Sequence, residues 1–296
     1  MAVNIKVIYR KIRDFIPEIP GILRKAVVSF QKKEASRNAA GMAYYTLFSL
    51  IPLLIVMVTI VSYFVDAQQA AERVSQLVMS VIPVSQGLVE RNINRAFEIR
   101  NSVGAIGLVS FLWSGSNAFS IMVHNINTAW PEDERRSFFE KRLFGLAMVV
   151  LLILMLFMLM ISSTALNLVL RYQRAYFDVD PTIQNRLLSL GSNLIHWLVP
   201  FIFFYSLYRV VPMGRVPIKA SGFSSLVITL LWRGASAIFQ WYLSSGLARY
   251  EFVFGSLSAI VVLLFWIYLS SVILFFGAHI CAASAGKIPD FREQSE

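Results

Sequence analysis

The chain has 296 residues, of which 57% are hydrophobic and only 15% charged, and its formal net charge is +10. Soluble domains carry about 25% charged residues, so this composition excludes most soluble enzymes and favours a protein whose apolar surface faces lipid. Six apolar segments are each long enough to cross a bilayer, which takes roughly 20 residues. We therefore predict an all-α polytopic membrane protein with six transmembrane helices, at 39–65, 102–129, 143–170, 187–211, 220–245 and 256–283.

The segment before the first span, residues 1–38, is basic and amphipathic. Apolar residues recur at helical spacing among the lysines and arginines of 5–15, a pattern typical of a helix at a membrane surface. Pro17 and Pro20 end this helix, and a second short helix over 22–33 leads into the membrane. We predict that this N-terminal segment is cytoplasmic and that it lies against anionic headgroups.

The membrane domain is predicted over 39–285, with a cytoplasmic tail at 286–296. Its longest external connector, 66–100, has two apolar faces separated by Pro83, which predicts a short helical cap between spans 1 and 2. Pro52 in the first span and Pro200 in the fourth each free a backbone carbonyl and predict a kink. Such a kink is either a packing bend or a hinge beside a cavity.

The basic residues are distributed unevenly between the two sides of the predicted bundle. Eighteen of the 27 lysines and arginines fall on the side of the N-terminus, eight fall on the other side, and Arg233 lies inside a span. This bias predicts a multi-pass protein of the bacterial inner membrane with both termini cytoplasmic. No basic stripe is interleaved with aromatic residues on a soluble module, so nucleic acid is not predicted as a partner. Membrane lipids and their anionic headgroups are predicted as partners, and the sequence is compatible with an oligomer.

The fifth span has polar residues at every third or fourth position and an arginine at its middle. They are Ser221, Ser225, Thr229, Arg233, Ser236, Gln240 and Ser244, and the periodicity predicts that they share one side of the helix. An arginine at this depth costs roughly 2.5–3.5 kcal/mol on insertion scales. Since no apolar core contains an acidic residue, Arg233 needs backbone carbonyls, water, a carboxylate from the outer edge, or an anionic ligand.

Two other spans add polar residues to a predicted substrate-binding set. The full set is Arg233, Gln240, Ser236, Thr229, Asn193, His196, Asn117 and His124. The alternative is that the small polar residues only form hydrogen bonds that hold neighbouring helices together. This explains the serines better than it explains Arg233.

Catalytic and metal-binding patterns are missing from the sequence. The three histidines stand on three different spans without a carboxylate at ligand spacing, so no metal site is predicted. With no nucleophile–base pair and no phosphate-binding loop, the sequence predicts neither an enzyme nor a cofactor.

Several motifs are similar to those of the bacterial YihY/BrkB family of inner-membrane proteins. They are the segment 39–53, Trp113-Ser114, Asn127-Thr128-Ala129-Trp130, Phe239 with Tyr242, Phe254-Gly255-Ser256-Leu257, Trp266-Ile267-Tyr268 and Gly277-Ala278. The resemblance implies a six-helix membrane protein. Many relatives have an acidic residue where this chain has His279. The family's older label, ribonuclease BN, does not suit a chain without carboxylates or histidines that converge on metal ions.

Two functional hypotheses follow. In the first, the protein moves or binds an amphipathic or anionic substrate, such as a lipid, through a polar interior groove. In the second, it is a non-catalytic membrane scaffold of the cell envelope, because no ATP-binding loop and no intramembrane carboxylate is present to couple transport to an energy source.

Overall fold

A computed structural model describes residues 18–61, 117–130, 181–245 and 258–289, together with isolated positions between 69 and 154. The regular structure in these ranges is entirely helical. The bounded helices are α1 (Ile19–Lys32), α2 (Ala35–Val61), α3 (Pro181–Val210), α4 (Ile218–Ser244) and α5 (Ser258–Ser284). Residues 117–128 form a further helical stretch.

Two of the described helices, α4 and α5, are long and apolar enough to cross a membrane, and α2 is a third if its two bent halves form one span. They correspond to the predicted fifth, sixth and first spans, with ends that differ by up to four residues, and the predicted fourth span lies within α3 except for its last residue, Val211. The helix over 5–15 lies outside the described residues, and so, apart from isolated positions, do the predicted span at 143–170, most of the cap at 66–100 and residues 102–116 of the second span. An all-helical membrane fold is confirmed, whereas the count of six spans stays a prediction.

The first span bends at its proline. The segments Ala35–Leu50 and Pro52–Val61 meet at an angle of 42°. A proline ring removes one backbone N–H and collides with the carbonyl one turn earlier, which accounts for a bend at this place. Pro200 lies inside α3, which continues as a helix to Val210. Whether either proline acts as a hinge stays a prediction.

Helix α5 is the centre of the described bundle. α1, α2 and α4 pack against it, and α3 packs mainly on α4. Because α5 meets neighbours on several sides, it is apolar all round and carries no charged residue. Its C-terminal half is the most buried part of the core, with Phe275, Ala278 and Ile280 fully enclosed. We call this end of the bundle, where α3 and α5 end and α2 and α4 begin, the α1 end.

Helix α1 packs its apolar face on α5. Pro20 lies in its first turn, where the missing N–H costs nothing, and Ile22, Ala26 and Ser29 are buried. The Ser29 hydroxyl forms a hydrogen bond of 2.9 Å with Nδ1 of His279. The ring of Phe30 lies edge-on to His279, with ring centres 5.7 Å apart. The basic face of α1 is thus exposed while its apolar face is covered by protein.

Candidate functional site

The residues of the predicted polar stripe lie on two different sides of helix α4. Ser221, Ser225 and Thr229 are buried, whereas Arg233 is half-buried and Gln240 is exposed. In an α-helix each step of four residues turns the side chain by about 40° beyond a full circle. Three such steps place Arg233 about 120° from Ser221. The serines therefore face the bundle, and Arg233 faces its margin together with the exposed Leu230.

The hydroxyls on the buried side are bonded within α4 itself. Ser225 donates to the carbonyl of Ser221 at 2.6 Å, and Thr229 donates to that of Ser225 at 2.7 Å. Ser236 donates to the carbonyl of Trp232 at 2.8 Å. Bonds of this type satisfy a hydroxyl at low cost inside a membrane. Of the predicted substrate-binding set, Thr229 and Ser236 thus use their single hydroxyl proton inside their own helix.

Arg233 lies over the ring of Trp197, a residue of α3 that sequence reasoning did not select. The guanidinium carbon is 4.5 Å from the ring centre, close enough for a cation–π interaction worth about 0.5–2 kcal/mol. Trp197 is 13 residues from the end of α3 and Arg233 is 15 residues from the start of α4, so both lie about 20 Å from the α1 end. This depth corresponds to the middle of a hydrocarbon core about 30 Å thick.

Two more residues of the predicted set lie near this pair along the helices. Asn193, one turn before Trp197 on α3, is exposed, and so is Gln240, two turns after Arg233 on α4. We call Asn193, Trp197, Arg233 and Gln240 the α3–α4 seam. Exposed apolar side chains flank it on both helices, namely Leu194 and Leu198 on α3 and Leu230, Ile238 and Trp241 on α4.

The remaining predicted residues are placed elsewhere or lie outside the description. Asn117 is half-buried and His124 is exposed on the stretch 117–128. That stretch is tied to the α3–α4 connector, because Oδ1 of Asn127 accepts a hydrogen bond of 3.0 Å from the N–H of Met213. The side chain of His196 lies outside the described residues. The predicted second-span residues are therefore not drawn into the seam by any contact that the structure describes.

The α1 end of the same helices forms a tight junction. The hydroxyl of Tyr208 on α3 donates to the carbonyl of Leu274 at 2.7 Å. Ser224 of α4 donates to the carbonyl of Gly277 at 2.5 Å. Sequence reasoning missed Ser224, which stands one residue off the polar stripe and faces the glycine of α5. A short hydroxyl against a glycine backbone lets two membrane helices approach closely.

Among the described residues there is no group of three or more His, Cys, Asp or Glu side chains that could hold a metal ion. The α3–α4 seam offers the permanent cation of Arg233, the aromatic face of Trp197 and the side-chain amides of Asn193 and Gln240. Such a set can bind an anion and orient it.

Comparison with known proteins gives one family. The family model described as Virulence factor BrkB matches residues 26–295. The putative ribonuclease-like protein YfkH of Bacillus subtilis is 26% identical over 276 residues, which cover 90% of this chain and 97% of that protein. A UPF0761 membrane protein of Haemophilus influenzae is 22% identical over 272 residues, or 90% of this chain and 94% of the relative. No solved structure matches.

Some relatives are longer than this chain. A UPF0761 membrane protein of Alkalilimnicola ehrlichii is 27% identical over 258 residues, and the match covers 86% of this chain but only 56% of that protein. The chain thus spans about half the length of this relative.

Proposed function

The chain belongs to the BrkB virulence factor family of membrane proteins, and from this premise we propose that it binds and moves an anionic amphipathic lipid at the α3–α4 seam. The observation that carries the proposal is the position of Arg233. Arg233 is half-buried near the middle of a helix that is long and apolar enough to cross a membrane, and its guanidinium carbon lies 4.5 Å from the centre of the Trp197 ring. Helices α2 to α5 contain no aspartate or glutamate, so none of them supplies the opposite charge.

A permanent cation at this depth favours an anionic partner. An arginine at the centre of a span costs roughly 2.5–3.5 kcal/mol on insertion scales, and an anion that binds it lowers this cost. The guanidinium carbon lies over the ring of Trp197, and the donors of a guanidinium point outward in its own plane. In-plane donors match the oxygens of a phosphate in pairs. The exposed leucines beside the seam suit the acyl chains of the same molecule.

We further propose that the protein crosses the bacterial cytoplasmic membrane six times with both termini inside. The charge of the α1 end supports this orientation. Nine basic residues of α1 to α5 and their flanks lie there, against the two carboxylates Glu18 and Glu34. They are Arg24, Lys25, Lys32, Lys33, Arg37, Arg209, Arg215, Lys219 and Lys287. Glu34 already forms an ion pair with Arg37. A basic end belongs on the non-translocated side.

The second candidate is a scaffold without a substrate. It is favoured by the hydroxyls of α4, which are bonded within the helix or to α5 instead of lining a conduit. In either case we propose that the protein is not an enzyme. The words "ribonuclease-like" belong to the relative from Bacillus subtilis.

The test compares Arg233→Lys, Arg233→Gln and Arg233→Leu for folding and for binding of phosphatidylglycerol against phosphatidylcholine in nanodiscs. We expect Leu and Gln to fold and lose the preference for the anionic lipid, and Lys to keep part of it, because an ammonium retains the charge but not the paired donors. Lys219→Gln, at the start of the same helix, is the matched control and should keep the preference.

Two outcomes reject the proposal. If all three Arg233 variants bind both lipids like the parent, the residue does not hold a ligand. If Leu and Gln fail to fold while Lys folds, Arg233 has a structural role, and the scaffold becomes the better account.

A further inference from the structure

Charged residues are rare inside the predicted spans. The six spans contain two, Arg209 and Arg233, and neither aspartate nor glutamate. Arg209 lies in the last turn of α3, at the α1 end, where its guanidinium donates to the carbonyl of Val216. Arg233 is 15 residues into α4, about 20 Å from that end. The formal charge near the middle of the predicted membrane domain is therefore a single positive one.

Apolar side chains flank Arg233 on both helices of the seam. Leu226 and Leu230 precede it on the same side of α4 and are exposed, and Leu198 is exposed beside Trp197 on α3. The ring of Trp197, 4.5 Å from the guanidinium carbon, carries no formal charge. Arginine stays protonated in proteins, so contacts with rings or carbonyls leave its charge unchanged. None of these neighbours stabilises a charge beyond the one that neutralises the guanidinium.

From this charge count we infer that the Arg233 site selects lipids by the charge of their phosphate. It takes a headgroup with one negative charge, a phosphodiester such as phosphatidylglycerol, and excludes a dianionic phosphomonoester such as fully ionised phosphatidic acid. The inference rests on the proposed function for Arg233 as the group that binds the anion. Two oxygens of a phosphodiester are enough for the paired donors of a guanidinium, and the pair has no net charge. A dianion leaves one negative charge uncompensated, which is costly at the centre of a span.

The protein's own ionisable groups near the site decide how this selection is tested. On α4, and on α3 and α5 that pack against it, they are Tyr242, His196, Tyr205, Tyr208, Tyr268, His279 and Cys281, and the fixed charges besides Arg233 are Arg186, Arg209 and Lys219. Histidine is the one type among them that ordinarily titrates between about pH 5 and 8. His279 bonds to Ser29 at the α1 end, and the side chain of His196 lies outside the described residues. A test that varies pH therefore needs a control ligand of constant charge.

Competition for the full-length protein in phosphatidylcholine nanodiscs measures the selection. A phosphatidylglycerol with a fluorescent acyl chain is the reporter, and unlabelled phosphatidylglycerol or phosphatidic acid is the competitor at graded mole fractions. Each is measured at about pH 5 and about pH 8.5, on either side of the second pKa of a phosphomonoester, which is about 6. Phosphatidylglycerol stays singly charged at both pH values, so it reports any titration of the protein itself.

We expect phosphatidic acid to compete as well as phosphatidylglycerol at about pH 5, where both are monoanions, and at least about tenfold less well at about pH 8.5. The inference is overturned if phosphatidic acid competes equally at both pH values or better at the higher one. It is also overturned if phosphatidic acid is weaker by the same factor at both, because the shape of the headgroup then accounts for the difference.

A second cation beside Arg233 should remove the selection. Ala237 is exposed and lies four residues after Arg233, so the two are neighbours on the surface of α4. Side chains lean towards the N-terminus of their helix, which directs an arginine at 237 towards Arg233. Ala237→Arg should bind phosphatidic acid at about pH 8.5 at least as well as phosphatidylglycerol, since the dianion then meets two cations.

Ala237→Met is the matched control, because methionine is long and unbranched but neutral. It should keep the selection of the parent. The same ratio of phosphatidic acid to phosphatidylglycerol binding in Ala237→Arg and Ala237→Met would show that charge does not set the selection. If Ala237→Arg does not fold, the pH comparison in the parent decides the matter.

The selection and the proposed function fail separately. If phosphatidic acid competes equally at both pH values while Arg233→Gln abolishes the preference for phosphatidylglycerol over phosphatidylcholine, Arg233 binds the anion and the charge selection is wrong. If Arg233→Gln keeps that preference, the proposed function is wrong, and the inference is wrong with it.

Discussion

Replacement of Gly277 by alanine is the sharpest test of the packing at the α1 end. The new Cβ would lie 2.5 Å from Cγ1 of Ile228 and 2.6 Å from Cζ of Tyr208, and it would also collide with the Tyr208 hydroxyl. Real Cβ atoms do not approach other atoms this closely, so a helix or a ring must move. Tyr208 and Ile228 are fully buried, which leaves little room for either to rotate away.

The expected cost combines three terms. Overpacking of a tight core costs typically about 1–3 kcal/mol. Displacement of the Tyr208 ring also weakens its hydrogen bond to the Leu274 carbonyl, worth about 1 kcal/mol. Against this, alanine gains about 1 kcal/mol over glycine in a helix. We therefore expect Gly277→Ala to lower the free energy of unfolding by about 1–3 kcal/mol, as the sum of these terms.

Thermal unfolding of the purified protein in detergent measures this change against a matched control. A Cβ atom added at Gly222 of α4 would meet no other atom within 4 Å, so Gly222→Ala should be as stable as the parent or more stable. Gly277→Ala should unfold several degrees lower, and combining it with Tyr208→Leu should cost less than the sum of the two changes. If Gly277→Ala is as stable as Gly222→Ala, the close packing of α3, α4 and α5 is wrong.

Three further predictions address α1, the topology and the nuclease label. Ser29→Val should leave Nδ1 of the buried His279 without its partner and destabilise the contact of α1 with α5 by about 1–3 kcal/mol. The measurement is the rate of proteolysis within α1, which should rise for Ser29→Val and stay unchanged for Ser36→Val, a substitution at an exposed site. Reporter fusions at residue 85 and at the C-terminus should lie in opposite compartments, and the same compartment for both would contradict the six-span topology. Purified protein with magnesium or zinc should leave RNA intact; cleavage that a single point substitution abolishes would show that an active site has been overlooked.

Sequence was sufficient for the features that depend on one helix alone. Length and apolarity identified α4 and α5, because a span must satisfy its own backbone in lipid whatever its neighbours are. Pro52 was identified as a kink for the same reason, since its effect on the helix is local. Arg233 stood out because its charge is costly at that depth in any arrangement of helices.

Features that depend on helix rotation and on distant pairing were not predictable. The spacing of four residues suggested one polar side on α4, yet its drift of about 40° per step left Ser225 facing the bundle and Arg233 facing the margin. The partner of Arg233, Trp197, is 36 residues away on another helix. Ser29 and His279 are separated by 250 residues. A single sequence therefore determines how deep a residue lies in the membrane more closely than which way it points.

The most direct measurement of the central claim is an experimental structure of the protein in nanodiscs that contain phosphatidylglycerol, determined beside one in phosphatidylcholine alone. With the anionic lipid, the account predicts headgroup density within hydrogen-bond distance of the Arg233 guanidinium, between Trp197 and Gln240, with acyl chains along Leu194 and Ile238. The account is contradicted if both lipids give a closed seam in which Arg233 is bonded only to the protein.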